Sequence, residues 1–251
     1  MKKTKLITLL TTFTLLFLGV SKAYAQFFID FENGWVSSGY NDVRIPNETG
    51  TLFSLSKDLS IDSSYFFRVR AGYTFGGKHT FSLFAAPLSL EATGEIDGNI
   101  FFFEEEFAKN TPLKALYRFD SYRATYRYDF LRKPKWTVGI GFTAKIRDAE
   151  IRVEDDNKSS SKTNVGFVPL INFRVEWRFA ESLSLLLNGD ALASPGGQGR
   201  AEDVLLALVF RPQDNLGIRL GYRILEGGAD VDEVYNFALL HFASAGVTLS
   251  F

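Results

Sequence analysis

The sequence predicts an all-β protein, a transmembrane antiparallel up-and-down β-barrel that most simply has ten strands. Three observations predict this class: an export signal at the N-terminus, long runs of strict apolar–polar alternation, and an abundance of Phe and Tyr. A transmembrane helix needs about 20 consecutive apolar residues, and no stretch after the export signal approaches that length. An exported chain of this composition is either a soluble periplasmic β-protein or a membrane barrel.

Residues 1–25 are predicted to form a secretory signal peptide. Lysines at the start precede an apolar run from Leu6 to Val20, and Ala23-Tyr24-Ala25 supplies an A-x-A cleavage site. The apolar run is short and rich in Thr for a membrane anchor, so we expect cleavage near Ala25 and one mature domain over 26–251. The sequence contains no cysteine, which excludes disulfides, thiolate metal sites and a cysteine-linked lipid anchor.

The alternation favours the membrane barrel. In the segment YFFRVRAGYTF, Phe67 and Val69 alternate with Arg68 and Arg70, so that one face of the strand is apolar and the other basic. Four further segments alternate in the same way: 121–130, 135–147, 171–179 and 215–224. A large aromatic face opposite a face of Arg and Gly is typical of a barrel with lipid outside and a polar interior. Only a closed barrel satisfies every backbone hydrogen bond of such strands in lipid.

The turns set the predicted number of strands. Short turns fall at Gly76–Lys78, Arg132–Lys135, Ala180–Ser182 and Pro212–Asn215, whereas longer polar segments lie around 37–64, 92–111, 149–162, 195–201 and 226–233. Outer-membrane barrels have short periplasmic turns and longer external loops. The resulting ten strands lie near 27–36, 65–76, 79–91, 112–131, 135–150, 163–179, 183–194, 200–211, 214–226 and 234–251. If 50–59 and 99–107 pair as full strands, the barrel has twelve.

The chain closes on an alternating strand whose apolar positions include Val247, Leu249 and Phe251. A terminal Phe preceded by apolar residues at every second position resembles the C-terminal signal of outer-membrane β-barrel proteins of Gram-negative bacteria. That resemblance implies recognition of the last strand by the barrel-assembly machinery. It also implies location in the cell outer membrane, in contact with its lipid and lipopolysaccharide.

Strand parity predicts a basic interior. The residues that we expect to form a lumen charge network are Arg68, Arg70, Arg123, Arg127, Asp129, Lys145, Arg147, Arg174, Glu176, Arg178, Asp190, Arg219 and Arg223, with Asp203 and Arg211 on the same face. A barrel of about eight strands is just wide enough to be filled by its own side chains. We therefore expect a non-enzymatic membrane protein with a largely filled lumen, either structural or a narrow conduit for small anions, which rings of arginine attract.

A surface hydrolase at the outer rim is the alternative. Its candidate residues are His241, Asp230 and Asp232, because the omptin proteases are ten-stranded barrels with Asp–Asp and Asp–His pairs at the outer mouth. The pattern of outer-membrane lipid A deacylases fails, since Ala243 stands where they have a serine two residues after the histidine. Clustered loop acids such as Glu104–Glu106 suit Ca²⁺ or Mg²⁺, but a solvated acidic surface explains them more simply. We expect no cofactor, no metal and no nucleic-acid partner.

Overall fold

The computed structural model describes residues 26–194 and 196–251. The predicted signal peptide over 1–25 lies outside these described residues. Within them, no helix has the length and apolar character needed to cross a membrane.

The described chain is built from β-strands. In chain order they are β1 (Gln26–Arg44), β2 (Phe53–Ser54), β3 (Ser60–Ile61), β4 (Ser64–Phe75), β5 (His79–Ala86), β6 (Ser89–Glu95), β7 (Ile100–Phe102), β8 (Glu105–Phe107), β9 (Pro112–Lys133), β10 (Trp136–Glu154), β11 (Ser159–Arg178), β12 (Leu183–Ala193), β13 (Gly199–Gln213), β14 (Leu216–Val231) and β15 (Val234–Ser250).

The strands close into an antiparallel barrel of ten wall strands, which confirms the predicted fold. β1 pairs with β15 on one side and with β4 on the other, and β9 pairs with β10, so that the sheet returns to its start. β5 and β6 both pair with β9 and form one wall strand. They are separated at Pro87 and Leu88, where proline cannot donate to a ladder. The twelve-strand alternative is wrong, because the segments 50–59 and 99–107 contribute only short strands outside the wall.

An apolar band surrounds the barrel. Its exposed side chains include Phe67, Ile140, Phe142, Leu208 and Leu220, and their outward direction follows from the alternation of strand side chains. At the inner end, which carries Gln26 and Phe251 and the short turns, aromatic rings form a girdle. The rings of Trp136 and Trp177 stack at 5.9 Å there. This is the arrangement that a bilayer requires of a barrel wall.

Two of the segments predicted as long external loops are mostly strand in the structure. β10 continues to Glu154, β11 starts at Ser159 and β14 continues to Val231, so tight turns replace the loops expected at 149–162 and 226–233. The prediction failed because the wall extends beyond the lipid. There both faces are polar, as in the SSSKT sequence at the start of β11, and the alternation that marks a strand disappears while its backbone ladder continues.

Parts of the segments 37–64 and 92–111 fold into the outer end of the barrel and form an apolar plug, which was not predicted from the sequence. We define the outer plug by its buried side chains Phe53, Leu55, Leu59, Ile100, Phe102 and Phe107. The backbone N–H of Phe103 donates to the carbonyl of Ile45 (2.7 Å), and the Ser160 hydroxyl donates to the carbonyl of Phe102 (3.2 Å). Ile45 follows β1 and Ser160 lies on β11, five strands away on the opposite wall. The plug therefore spans the barrel.

Replacing Phe102 by Ala should release the plug without opening the barrel. Phe102 is fully buried (0% exposed), and a Phe→Ala change in a packed core costs about 3–5 kcal/mol. We expect faster proteolysis of the segment 96–111 in refolded protein, with unchanged heat-modifiable gel mobility. Phe101→Ala, at the adjacent residue that is 37% exposed, is the matched control. Equal proteolysis of both variants would contradict the role given to Phe102.

Candidate functional site

The centre of the lumen holds a layer of buried ion pairs around Asp203. Its carboxylate accepts from Arg123 (2.5 Å) and Arg68 (3.2 Å), and it also pairs with Arg223. These residues come from β4, β9, β13 and β14, so the carboxylate links distant parts of the wall. A buried charge is tolerated only when it is paired and hydrogen-bonded, and this one is shared by three guanidinium groups.

Two further carboxylates complete this ionic layer. Asp190 accepts from Arg123 (2.7 Å), the Thr143 hydroxyl (2.7 Å) and the Asn172 amide (2.8 Å). Glu32 receives two hydrogen bonds of 2.8 Å from Arg223. The layer thus consists of Glu32, Arg68, Arg123, Asp190, Asp203 and Arg223, all of them buried.

Two acids of the lumen, Asp30 and Glu32, were not predicted from the sequence, and both pair with Arg219. They stand on β1, where Ile29 and Phe31 occupy the outward positions. The same parity that placed the other lumen residues would have placed these two inside. The lumen is therefore closer to neutral than the sequence analysis expected.

A second group of ion pairs lies towards the inner end. Arg174 and Arg211 both donate to Glu176, each at 2.5 Å, and Arg127 donates to Asp129 at 2.8 Å. Glycines on the same face give these long side chains room. At Gly246, for example, a Cβ would stand 2.5 Å from the guanidinium carbon of Arg219.

Four of the predicted network residues are not part of any ion pair among the described residues. Arg70 stacks on Phe84 at 4.9 Å, and the Lys145 ammonium lies 4.7 Å from the ring centre of Phe119. Arg147 donates to Asn164. Arg178 is exposed at the inner end.

Between the ionic layer and the inner opening lies a cavity of about 660 Å³, which we call the vestibule. Its lining includes the basic residues Arg70, Arg127, Arg132, Lys133, Lys135, Arg174, Arg178, Arg211, Arg219 and Arg223. The carboxylates that line it are fewer, namely Asp30, Glu32, Asp129, Glu176 and Asp214. An excess of positive charge in a concave site attracts anions, so the vestibule suits anions that approach from the inner side.

The residues proposed for a surface hydrolase do not converge. The His241 ring lies 2.5 Å from the Tyr222 hydroxyl and opposite Ile224 in the ladder, whereas Asp230 lies opposite Tyr235. Six residues of strand, about 20 Å, therefore separate Asp230 from His241. Asp230 accepts from the Asn47 amide at 2.6 Å. Among the described residues, no group of three or more His, Cys, Asp or Glu is placed to hold a metal ion.

One carboxylate at the outer rim, beyond the apolar band, is held as an anion. Burial raises the pKa of Glu226, whereas hydrogen bonds from Arg200 and Tyr40 lower it. The hydrogen bonds outweigh the burial, so the pKa lies below the usual value. Arg200 makes a two-pronged contact through Nε (2.8 Å) and Nη2 (2.6 Å). Glu226 is therefore a structural anion of the rim.

No protein-family model matches the sequence, and no curated protein matches it. Among solved structures, the chain is similar to the outer membrane protease OmpT from Escherichia coli, with a TM-score of 0.58, 8% identity and coverage of 90% of this chain and 97% of that chain. Neisserial surface protein A gives a TM-score of 0.38 at 15% identity, covering 90% and 97%. Ail of Yersinia pestis gives 0.40 at 11%, covering 90% and 99%.

The likeness to OmpT shows a shared fold and, at this identity, nothing about activity. Together with the closed wall and the apolar band, it defines the class of this protein. The chain has the fold of the outer-membrane β-barrel proteins.

Replacing Asp203 by Asn should destabilise the barrel strongly. Removal of one partner from a buried ion pair costs about 3–5 kcal/mol, because the remaining charges are left uncompensated. We expect a lower urea midpoint for unfolding in lipid vesicles. The control is Glu202→Gln, at the exposed neighbouring position of the same strand, which should unfold like the wild type. Identical midpoints for the two variants would show that the ionic layer adds little stability.

Proposed function

We propose that this protein is a sealed, non-enzymatic barrel of the outer membrane whose role is structural. Its partners are the surrounding lipid and lipopolysaccharide, and the barrel-assembly machinery that receives the last strand. The observation that carries the proposal is the double closure of the lumen. The ionic layer closes its centre and the outer plug closes its outer end.

The ionic layer supports the proposal because its members are committed to one another. Arg123 and Arg223 each bind two carboxylates, and both guanidinium groups are almost fully buried. A hydrated ion that crossed this layer would have to separate these pairs inside the barrel, where unpaired charges are costly. A barrel of ten strands offers little extra width for a path around them.

The vestibule favours a second candidate, a narrow conduit for small anions. Anions from the inner side would meet the basic lining of the cavity before they reached the ionic layer. Such a conduit requires both the ionic layer and the outer plug to move, whereas the sealed barrel requires neither.

Conductance of the refolded, signal-free protein in a planar bilayer distinguishes the two candidates. We expect no steps from the wild type, and none after the segment 98–109 is replaced by a short Gly-Ser turn, since the ionic layer remains. The same replacement combined with Arg123→Ala and Asp203→Ala should conduct. Heat-modifiable mobility confirms the fold of each variant.

Steady anion-selective steps from the wild type would overturn the sealed barrel. In that case, the conduit predicts that the conductance of the steps falls when Arg127 or Arg174 is neutralised, because these residues line the vestibule.

The hydrolase alternative is tested at His241. We expect no turnover of peptide or lipid ester reporters above that of empty vesicles, and no difference between the wild type and His241→Ala. Tyr222→Phe, which removes the hydroxyl that contacts the histidine, is the companion variant. Turnover by the wild type that disappears in His241→Ala would establish the alternative.

A further inference from the structure

The barrel wall has a gap at its outer end. β11 pairs with β12 only from Ile171 to Arg178, while its outer half, Ser159–Leu170, pairs with β10 alone among the described residues. The reason is the shortness of β12, which ends at Ala193. Above the gap, Lys162 of β11 forms an ion pair of 3.5 Å with Glu233 at the turn between β14 and β15. Strands bound this opening on three sides, and the ion pair bounds it on the outer side. We call the opening the wall window.

The window lies at the outer edge of the apolar band. On β10 the outward side chains change from Ile146 to Asp148, and on β13 they change from Leu206 to the exposed Glu202. The rim of the window is nevertheless apolar, since Val165 and Phe167 are 68% and 62% exposed. An opening at this height faces the boundary between acyl chains and headgroups, where aromatic and amphiphilic groups concentrate.

Behind the window lies a cavity of about 470 Å³, which we call the outer cavity. This volume is within the range of small-molecule sites, which are lined mainly by apolar groups with a few polar groups that orient the ligand. The apolar lining includes Tyr117, Phe119, Ile151, Leu170 and Leu225. The ionic layer separates this cavity from the vestibule, because Asp203 lines the outer cavity and its partner Arg223 lines the vestibule.

Two cations line the outer cavity without a counter-ion. Lys145 is 3% exposed and contacts the ring of Phe119, and Arg147 contacts the Asn164 amide while its buried Nε has no hydrogen-bond partner. In the described part of the chain neither forms an ion pair. Five carboxylates also line the cavity. Four of them are already paired with cations, namely Glu150 with Arg118, Asp203 with Arg123, Glu226 with Arg200 and Glu233 with Lys162, and the fifth, Glu202, is exposed. A buried cation without a partner is costly, so this wall of the cavity is suited to an anion.

We propose that the outer cavity binds a long-chain carboxylate, an amphiphile of the fatty-acid type, that reaches it from the membrane through the wall window. The chain lies against the apolar lining, and the carboxylate lies between Lys145 and Arg147. A cationic amphiphile is repelled there, and an uncharged one leaves both cations unpaired. The proposal is independent of whether the lumen conducts, since the site lies on the outer side of the ionic layer.

The location of binding is tested by photo-crosslinking. The refolded protein in lipid vesicles is incubated with a 16-carbon fatty acid that carries a diazirine on its chain, irradiated, digested and analysed by mass spectrometry. We expect saturable crosslinks to Leu170, Leu225 and Tyr117, which line the cavity. Crosslinks confined to lipid-facing residues such as Leu208 and Phe210 would overturn the proposal, because they would report only ordinary contact with the bilayer.

The role of the two cations is tested by competition and substitution. Unlabelled palmitate should abolish the cavity crosslinks at concentrations at least tenfold below those needed with hexadecanol or hexadecylamine. Lys145→Met with Arg147→Met should weaken crosslinking about tenfold or more, as expected for loss of charged hydrogen bonds. Lys114→Met removes an exposed lysine outside the cavity and should leave it unchanged.

A third arm distinguishes a carboxylate from a phosphate headgroup and keeps the test valid if the double variant fails to fold. Leu192→Trp narrows the window at the end of β12 and should reduce cavity crosslinks while Lys145 and Arg147 remain. Hexadecyl phosphate that competes better than palmitate would overturn the carboxylate assignment. Competition by the alcohol equal to that by palmitate would overturn anion recognition altogether.

Discussion

The buried charge of the lumen is the constraint on which the rest of this structure depends. Asp203 joins three arginines from three different strands, and each of these strands is also fixed by its backbone ladder. Because an unpaired charge in the interior is costly, any shift of one strand past another separates several pairs at once. The ionic layer therefore ties the register of the wall to the chemistry of its interior.

Above this layer the barrel is asymmetric. The side built from β1 to β9 is filled by the outer plug, whose loops bring their own apolar side chains. The wall is lower at β12 and β13, which are joined by a short hairpin beside the long strand β11, and the outer cavity lies there. One barrel thus combines a centre crossed by ion pairs, an apolar plug at its outer end and a gap in its wall. The shape of the outer end follows from strand length more than from the number of strands.

The wall strands and their faces could be predicted from the sequence because apolar–polar alternation and short turns are both local features of the chain. The alternation in YFFRVRAGYTF assigns Arg68 and Arg70 to the lumen without reference to any other strand, and the short turns set the count of ten. Where the wall leaves the lipid, the alternation disappears, and the extensions of β10, β11 and β14 were mistaken for loops. Asp30 and Glu32 carried the same signal as the other lumen residues and were overlooked.

The sequence by itself determined the class of fold, the lipid-facing and lumen-facing residues and the excess of arginine inside, because period-two patterning is written along each strand. Only the tertiary structure decided which arginine pairs with which carboxylate, because Arg68 and Asp203 are 135 residues apart. It also decided that the loops around Phe53 and Phe102 turn inward, and that β12 stops short of β11. These features depend on the stagger of ten strands around a closed barrel, and that stagger is a property of the whole sheet.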